Sequence, residues 1–181
     1  GKSESLSYNF GLDLKLGLND AFTLDATLIP DFGQTISDQE VLNLSAFELQ
    51  FTDNRQFFTE GTELFSKGNL FYSRRIGFER PLRFYDAYRD LAENEVVTSN
   101  QAKDQIINAM KISGRNKAKL GIGFFNAVTA PSVATVSDTI SGTTRNVNTS
   151  ALTNYNVTVF DQALANNSFV SLINTNVFRS G

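Results

Sequence analysis

The chain has 181 residues, of which 41% are hydrophobic, 12% aromatic and 19% charged, and its formal net charge is −3. This balance excludes a disordered chain, and it provides no basic patch for nucleic acid. Cysteine and histidine are both absent, which removes disulfides, thiolate chemistry, and the commonest general base and metal ligand. No apolar run approaches the roughly 18 residues of a spanning helix, so any membrane crossing would be made by strands.

The first predicted element is a hairpin with one apolar and one polar face. From Leu6 to Leu18 every second residue is large and apolar, and the positions between them are small, polar or charged. After a tight turn at Asn19-Asp20 the alternation resumes over Phe22–Ile29. Because side chains alternate across a strand, each arm has an apolar face and a polar face. Each arm is also about long enough to cross a bilayer when the strand is tilted.

Two more hairpins are predicted further along the chain. One joins Gln105–Gly114 to Leu120–Val128 through the polar turn Arg115-Asn116-Lys117. The other joins Asn154–Leu164 to Ser168–Phe178 through Ala165-Asn166-Asn167. Both follow the pattern of strands separated by short polar turns.

Two long connections separate the three hairpins. Residues 129–152 are rich in Thr, Ser, Asn and Val and are predicted to form a long exposed loop or a flexible hairpin tip. Residues 30–104 are too long for a plain loop and contain clustered aromatics, so we predict a folded insertion that plugs a lumen or forms an extracellular cap. The fold class predicted is all-β, with antiparallel amphipathic hairpins forming part of a transmembrane β-barrel. Six strands are too few to close a barrel, so we expect a larger wall.

Several stretches carry a family resemblance. They are Pro30–Gln34 (PDFGQ), Asn43–Glu48, Arg55–Gly61, Leu70–Gly77 (LFYSRRIG), Lys111–Arg115, Gly121–Gly123 and Leu172–Val177. Together they resemble the barrel region of a Bacteroidetes outer-membrane family of unknown function, the DUF5916 type. In that family a carbohydrate-binding-like sandwich, similar to carbohydrate-binding family 9, usually precedes the barrel. The resemblance implies a location and an architecture. Because the first residues contain no Met and no apolar signal segment, we also expect a piece of a longer protein.

The insertion contains several carboxylates that could carry chemistry. They are Asp31, Glu48, Asp53, Glu60 and Glu63. One reading is a glycosidase-like acid pair or a calcium site. The alternative, which we favour, is that they cap turns and pair with Arg55, Arg74 and Arg75, because no spacing matches a calcium loop.

Tyr72, Arg74 and Arg75, with Glu60 and Glu63, form the candidate binding group. Guanidinium groups bind carboxylates and phosphates with two parallel hydrogen bonds, so Arg74 or Arg75 could hold such a ligand. The simpler alternative is an internal ion pair with Glu60 or Glu63. Aromatics of the insertion could form a sugar-stacking platform, but packing against the barrel interior fits Phe better. They are Phe47, Phe51, Phe57, Phe58, Phe65, Phe71 and Tyr72.

One modification site is a further hypothesis. Asp138-Thr139-Ile140 is similar to a short O-glycosylation signal used by Bacteroidetes, with Thr139 as the acceptor. An unchanged mass after chemical deglycosylation of the native protein would contradict it.

The sequence thus favours a non-enzymatic outer-membrane β-barrel segment for the passage or docking of an extracellular nutrient or exported protein. The expected partners are outer-membrane lipid and, as further candidates, other outer-membrane or secretion components, with no nucleic acid. No cofactor and no metal are expected. Two alternatives stay open: a soluble β-sandwich that binds glycans, and a carboxylate-dependent hydrolase centred on the insertion.

Overall fold

The computed structural model describes residues 11–29, 52–77, 81 and 83–180. The described strands are β1 (Leu12–Gly17), β2 (Phe22–Leu28), β3 (Glu95–Ser99), β4 (Ile106–Arg115), β5 (Leu120–Thr129), β6 (Ser132–Asp138), β7 (Thr144–Ser150), β8 (Thr153–Ala163) and β9 (Phe169–Arg179). Six of them form the main sheet, in the order β1-β2-β4-β5-β8-β9, and every neighbouring pair is antiparallel. Among the described residues β1 and β9 are its edges, so the sheet is open there. The fold is all-β with a few short helices.

The connections of the main sheet are short at one end and long at the other. Turns of four or five residues join β1 to β2, β4 to β5 and β8 to β9. The chain between β2 and β4, and the chain between β5 and β8, leave from the opposite end. The three predicted hairpins correspond to the three pairs with short turns. The first arm was predicted from Leu6, but β1 begins at Leu12, and Leu6–Phe10 lie outside the described residues.

The segment 129–152, for which a long loop was predicted, forms two strands instead. β6 and β7 pair with each other, and β6 also pairs with β3, which gives a small antiparallel sheet. Val and Thr favour extended backbone, and the turn closes at Gly142, whose φ of +69° suits glycine. The loop alternative was wrong, because residues on both faces of these strands are polar and hide the strand pattern, whereas the hairpin alternative agrees with the pairing of β6 and β7.

The small sheet packs on a short helix, α2 (Asp86–Arg89). Ala87 of this helix is buried, as are Ala134 and Val136 of β6. Glu95 on β3 and Arg145 on β7 form a two-point ion pair, with Nε–Oε1 at 2.6 Å and Nη2–Oε2 at 2.7 Å. The guanidinium of Arg145, followed by the backbone N–H of Ala92, lowers the pKa of Glu95 to about 2. These contacts tie the outer strands of the small sheet together.

Residues 52–77, called the docked segment here, lie on one face of the main sheet. Their helical parts are α1 (Gln56–Thr59) and single 3-10 turns at Lys67–Asn69 and Ser73–Arg75. The core of the molecule lies between the docked segment and the sheet, where Phe58, Leu64 and Phe65 meet residues of β4, β5 and β8. The sequence prediction of a folded insertion therefore agrees with this part of residues 30–104.

The two faces of the main sheet differ in chemistry and in exposure. The covered face, under the docked segment, carries Lys15, Asp25, Lys111, Phe125, Val159 and Asp161. The uncovered face carries the alternate residues, including Leu14, Leu24, Ile112, Phe124, Phe160 and Leu172. Leu14 is 51% exposed and Leu172 is 63% exposed. Asparagine and threonine residues end the apolar surface on four strands of this face: Asn108, Asn126, Thr158 and Asn174.

Candidate functional site

The centre of the covered face is an aromatic cluster around Phe125 of β5. Rings from the docked segment surround it: Phe57 at 6.3 Å between centroids, Phe58 at 6.0 Å, Phe65 at 6.2 Å and Phe71 at 4.9 Å. These distances are those of favourable tilted and edge-on ring contacts. The rings are used to pack the segment onto the sheet, which agrees with the packing alternative and not with a sugar platform. Phe47 and Phe51 lie outside the described residues.

Two glycines of β5 make this close approach possible. A Cβ on Gly121 would lie 2.9 Å from Leu64 Cδ2, and a Cβ on Gly123 would lie 3.0 Å from Phe65 Cε1. Any larger residue would push Leu64 or Phe65 away from the strand. The two glycines therefore leave the space that Leu64 and Phe65 of the docked segment occupy.

A buried lysine anchors one end of the docked segment. The Lys111 side chain, 2% exposed, donates from Nζ to the carbonyl oxygens of Phe57 and Glu60 and lies 3.6 Å from Asp25 Oδ2. Its Nζ is also 4.6 Å from the centre of the Phe57 ring. Because α1 ends at Thr59, these carbonyls lack helical partners, and the ammonium supplies donors to them. Lys111 therefore fixes the segment to β4.

A buried carboxylate anchors the middle of the docked segment. Asp161 of β8, whose side chain is 1% exposed, accepts hydrogen bonds from Lys67 at 2.7 Å, from Arg115 at 2.5 Å and from Ser171. Lys67 belongs to the docked segment, whereas Arg115 and Ser171 belong to β4 and β9. A buried charge is tolerated only when it is paired and hydrogen-bonded. Asp161 thus joins three strands and the docked segment through one carboxylate.

The docked segment is held in shape by its own ion pair. Arg55 donates to both oxygens of Asp53, from Nε at 2.9 Å and from Nη2 at 2.7 Å, and also to the carbonyls of Ser73 and Ile76. Its guanidinium lies 4.0 Å from the centre of the Phe58 ring. Burial alone would raise the pKa of Asp53, but hydrogen bonds from Arg55 and Ser73 hold it below its usual value. The predicted use of Asp53 and Arg55 as an internal pair agrees with this geometry.

The carboxylates of the candidate binding group pair with cations of the sheet. Glu60 binds Lys15 at 2.9 Å and accepts a hydrogen bond from Gln56 at 2.8 Å. Glu63 is 83% exposed and lies 3.8 Å from Arg115. The expected pairing of Glu60 or Glu63 with Arg74 or Arg75 was therefore wrong, because Lys15 of β1 pairs with Glu60 and Arg115 of β4 lies beside Glu63.

Tyr72, Arg74 and Arg75 lie at and beside a helical turn and have different surroundings. Residues 73–75 form a 3-10 turn, so the strand geometry assumed from the sequence does not apply. Arg74 is buried and donates to the carbonyl of Thr52 at 2.6 Å, whereas Arg75 is exposed and lies 5.6 Å from the centre of the Tyr72 ring. Asp31 and Glu48 lie outside the described residues. Across the described ranges no three His, Cys, Asp or Glu side chains are grouped to hold a metal ion.

Thr139 lies at the exposed turn between β6 and β7. Its hydroxyl donates to the carbonyl of Asn94 at 2.9 Å. The carboxylate of Asp138 accepts from the backbone N–H groups of Ile140 and Ser141 at 2.7 and 2.8 Å, and these bonds lower its pKa. Modification of Thr139 remains a prediction.

Sequence reasoning did not single out Lys111 and Asp161. A signal in the sequence could have found them, because each charged residue shares its strand face with small or apolar residues. Lys111 lies between Ala109 and Ser113 on its face, and Asp161 follows Val157 and Val159. A charge at such a position needs a partner from outside its own strand. That partner is the docked segment in both cases.

The fold and the site together define an all-β protein with a main antiparallel sheet whose charged face is closed by a segment of the same chain. None of the described helices is long and apolar enough to span a membrane. The chain belongs to the family described as Domain of unknown function (DUF5916), whose model matches residues 1–181. No curated protein and no solved structure matches the chain.

Proposed function

We propose that this chain forms part of the wall of a bacterial outer-membrane β-barrel, and that the docked segment closes the side facing the lumen. The protein would serve in the passage or docking of an extracellular nutrient or exported protein, without catalysis. The observation that carries the proposal is the contrast between the two faces of the main sheet. One face is exposed and apolar over most of its described length, with asparagines at one corner, and the other is covered and carries the charged side chains of Lys111 and Asp161.

Strand length supports the membrane reading over a soluble sandwich. β4 and β5 have 10 residues each and β8 and β9 have 11, whereas the described parts of β1 and β2 have 6 and 7. Transmembrane strands need about 9–11 residues, whereas strands of soluble sheets are mostly about five or six. The separation of short turns from long connections also fits an outer-membrane barrel. Known barrels have about eight strands or more, so these six would be a part of the wall.

The covered face supports a plug in preference to a hydrolase. Glu60 is bound to Lys15 and Gln56, and Asp161 is bound to Lys67 and Arg115. Carboxylates engaged in this way hold the docked segment and offer no free acid and base pair. The segment would then control access to the lumen by staying bound or by leaving.

Neighbouring residues of β1 provide a direct test of the membrane assignment. Leu14→Arg places a charge on the uncovered face and should lower the stability of the protein folded in lipid vesicles by about 2–4 kcal/mol. Lys15→Leu changes the covered face, where it removes an exposed ion pair with Glu60 and the attraction to the opposite Asp25, and should cost at most about 1 kcal/mol. Reversible unfolding in urea measures both. Equal tolerance of the two substitutions would refute the assignment.

A second experiment tests the passage of solutes. If the docked segment closes a path, loosening it with Asp161→Asn should make vesicles that contain the complete barrel protein swell faster in small sugars. Glu63→Gln removes an exposed carboxylate near the same guanidinium and should leave swelling unchanged. Identical swelling for both variants and for the unmodified protein would leave docking, without passage, as the role.

A further inference from the structure

The uncovered face has a polar corner that the proposed function does not use. Five asparagines of β5, β8 and β9 point to this face: Asn126, Asn154, Asn156, Asn174 and Asn176. Hydrogen bonds join them in two groups: Asn126 Nδ2 donates to Asn156 Oδ1 at 2.7 Å and Asn156 donates to Asn154, while Asn176 donates to Asn174. We call them the amide cluster. The cluster lies towards the end of the strands from which the long connections leave.

The boundary between the apolar region and the amide cluster is diagonal. On each strand it falls between the last apolar residue and the first Asn or Thr of the uncovered face. These pairs are Met110 and Asn108 on β4, Phe124 and Asn126 on β5, Phe160 and Thr158 on β8, and Leu172 and Asn174 on β9. On β1 and β2 the uncovered face is apolar over the whole described length. Beyond the boundary only Val128 and Phe178 interrupt the polar region of β4, β5, β8 and β9.

The strand register gives the slope of this boundary. Met110 of β4 is opposite Asn126 of β5, and Phe124 of β5 is opposite Thr158 of β8. The boundary therefore shifts by two residues from β4 to β5 and by two more from β5 to β8. From β8 to β9 it does not shift. From β4 to β9 it moves four residues, about 13.6 Å, across three strand spacings, about 14.4 Å. The boundary therefore makes an angle of about 43° with the rows of paired residues. This angle lies within the roughly 35–45° by which strands tilt in membrane barrels. A plane parallel to the membrane crosses tilted strands along a line with this slope.

We propose that the diagonal boundary marks the plane where hydrocarbon meets lipid head groups, and that the amide cluster contacts the phosphate and hydroxyl groups of those head groups. This inference rests on the proposed function and adds the orientation of the sheet in the membrane. Asn side chains both donate and accept hydrogen bonds, which suits phosphate and hydroxyl partners. Burying the same amide groups in hydrocarbon would cost free energy. The asparagines are therefore expected only beyond the plane where the hydrocarbon ends.

Two positions in one register row provide the test. Leu14 and Asn156 are connected through successive partners Ala26, Met110 and Asn126, but they are four strand spacings apart. With an inclination of about 43°, a label at Leu14 should lie about 13 Å deeper than a label at Asn156. Because residues 1–181 contain no cysteine, Leu14→Cys and Asn156→Cys can each carry a single fluorescent label once any cysteine elsewhere in the complete barrel protein is replaced by serine, and that protein is then reconstituted into phosphatidylcholine vesicles. Thr175→Cys, on the covered face, is the control.

Nitroxide lipids measure the depth of each label. We expect head-group nitroxides to quench the Asn156 label most, acyl-chain nitroxides to quench the Leu14 label most, and neither to quench the Thr175 label. Equal depths at Leu14 and Asn156 would overturn the inference, while quenching of both labels by lipid would leave the proposed function standing. Absence of lipid quenching at both positions would overturn the inference and the proposed function together.

Discussion

The buried carboxylate of Asp161 is the contact whose loss should release the docked segment most clearly. Asp161→Asn keeps the shape of the side chain but removes the charge that Lys67 and Arg115 share. Removing one partner of a buried ion pair costs about 3–5 kcal/mol. Because Lys67 and Arg115 stay partly exposed, at 28% and 33%, water can solvate them after the change. We therefore take the lower limit, about 3 kcal/mol.

Hydrogen exchange of the backbone amides of residues 52–77 measures this effect, because opening of the segment exposes them. A loss of about 3 kcal/mol corresponds to roughly a 100-fold fall in protection. Glu63→Gln is the matched control, since Glu63 also faces Arg115 but is 83% exposed, and it should change protection by less than about fivefold. Equal effects of the two substitutions would refute the reasoning that burial makes Asp161 decisive.

Three further substitutions test other contacts. Gly123→Val should lower stability by about 1–3 kcal/mol because its side chain meets Phe65, whereas Gly17→Val, with nothing within 4 Å, should stay within about 0.5 kcal/mol in denaturant titrations. The pKa of Glu95 is lowered from 4.5 to about 2, so its ion pair stabilises the small sheet above pH 4.5 and is lost as the pH falls through 2. Glu95→Gln should lower the melting temperature at pH 6 and flatten its dependence on pH below 4.5, and an unchanged profile would contradict this. Burial raises the pKa of Asp104, so its charge costs stability as the pH rises above the usual value. At pH 7 Asp104→Asn should therefore leave the free energy of unfolding equal or higher, and a loss above about 1 kcal/mol would argue against it.

The hairpins of the main sheet were predictable because each combines an apolar alternation with a short turn of its own. The small sheet was not predicted, since β6 places Val133 on its exposed face and Ala134 on its buried face, and no clear apolar stripe results. The anchors were not predicted either. Lys111 and Asp161 find partners in a segment without periodicity, and such pairings depend on the three-dimensional arrangement of distant parts of the chain.

The distance along the chain between the partners of the docked segment has a consequence for folding. Lys67 and Asp161 are 94 residues apart, whereas each hairpin of the main sheet closes across four or five residues. Closing a long loop costs more chain entropy than closing a short one, and contacts between distant residues form slowly. We therefore expect each hairpin to form before Lys67 reaches Asp161. Until then the hairpin of β8 and β9 must be held together by its own strand pairing.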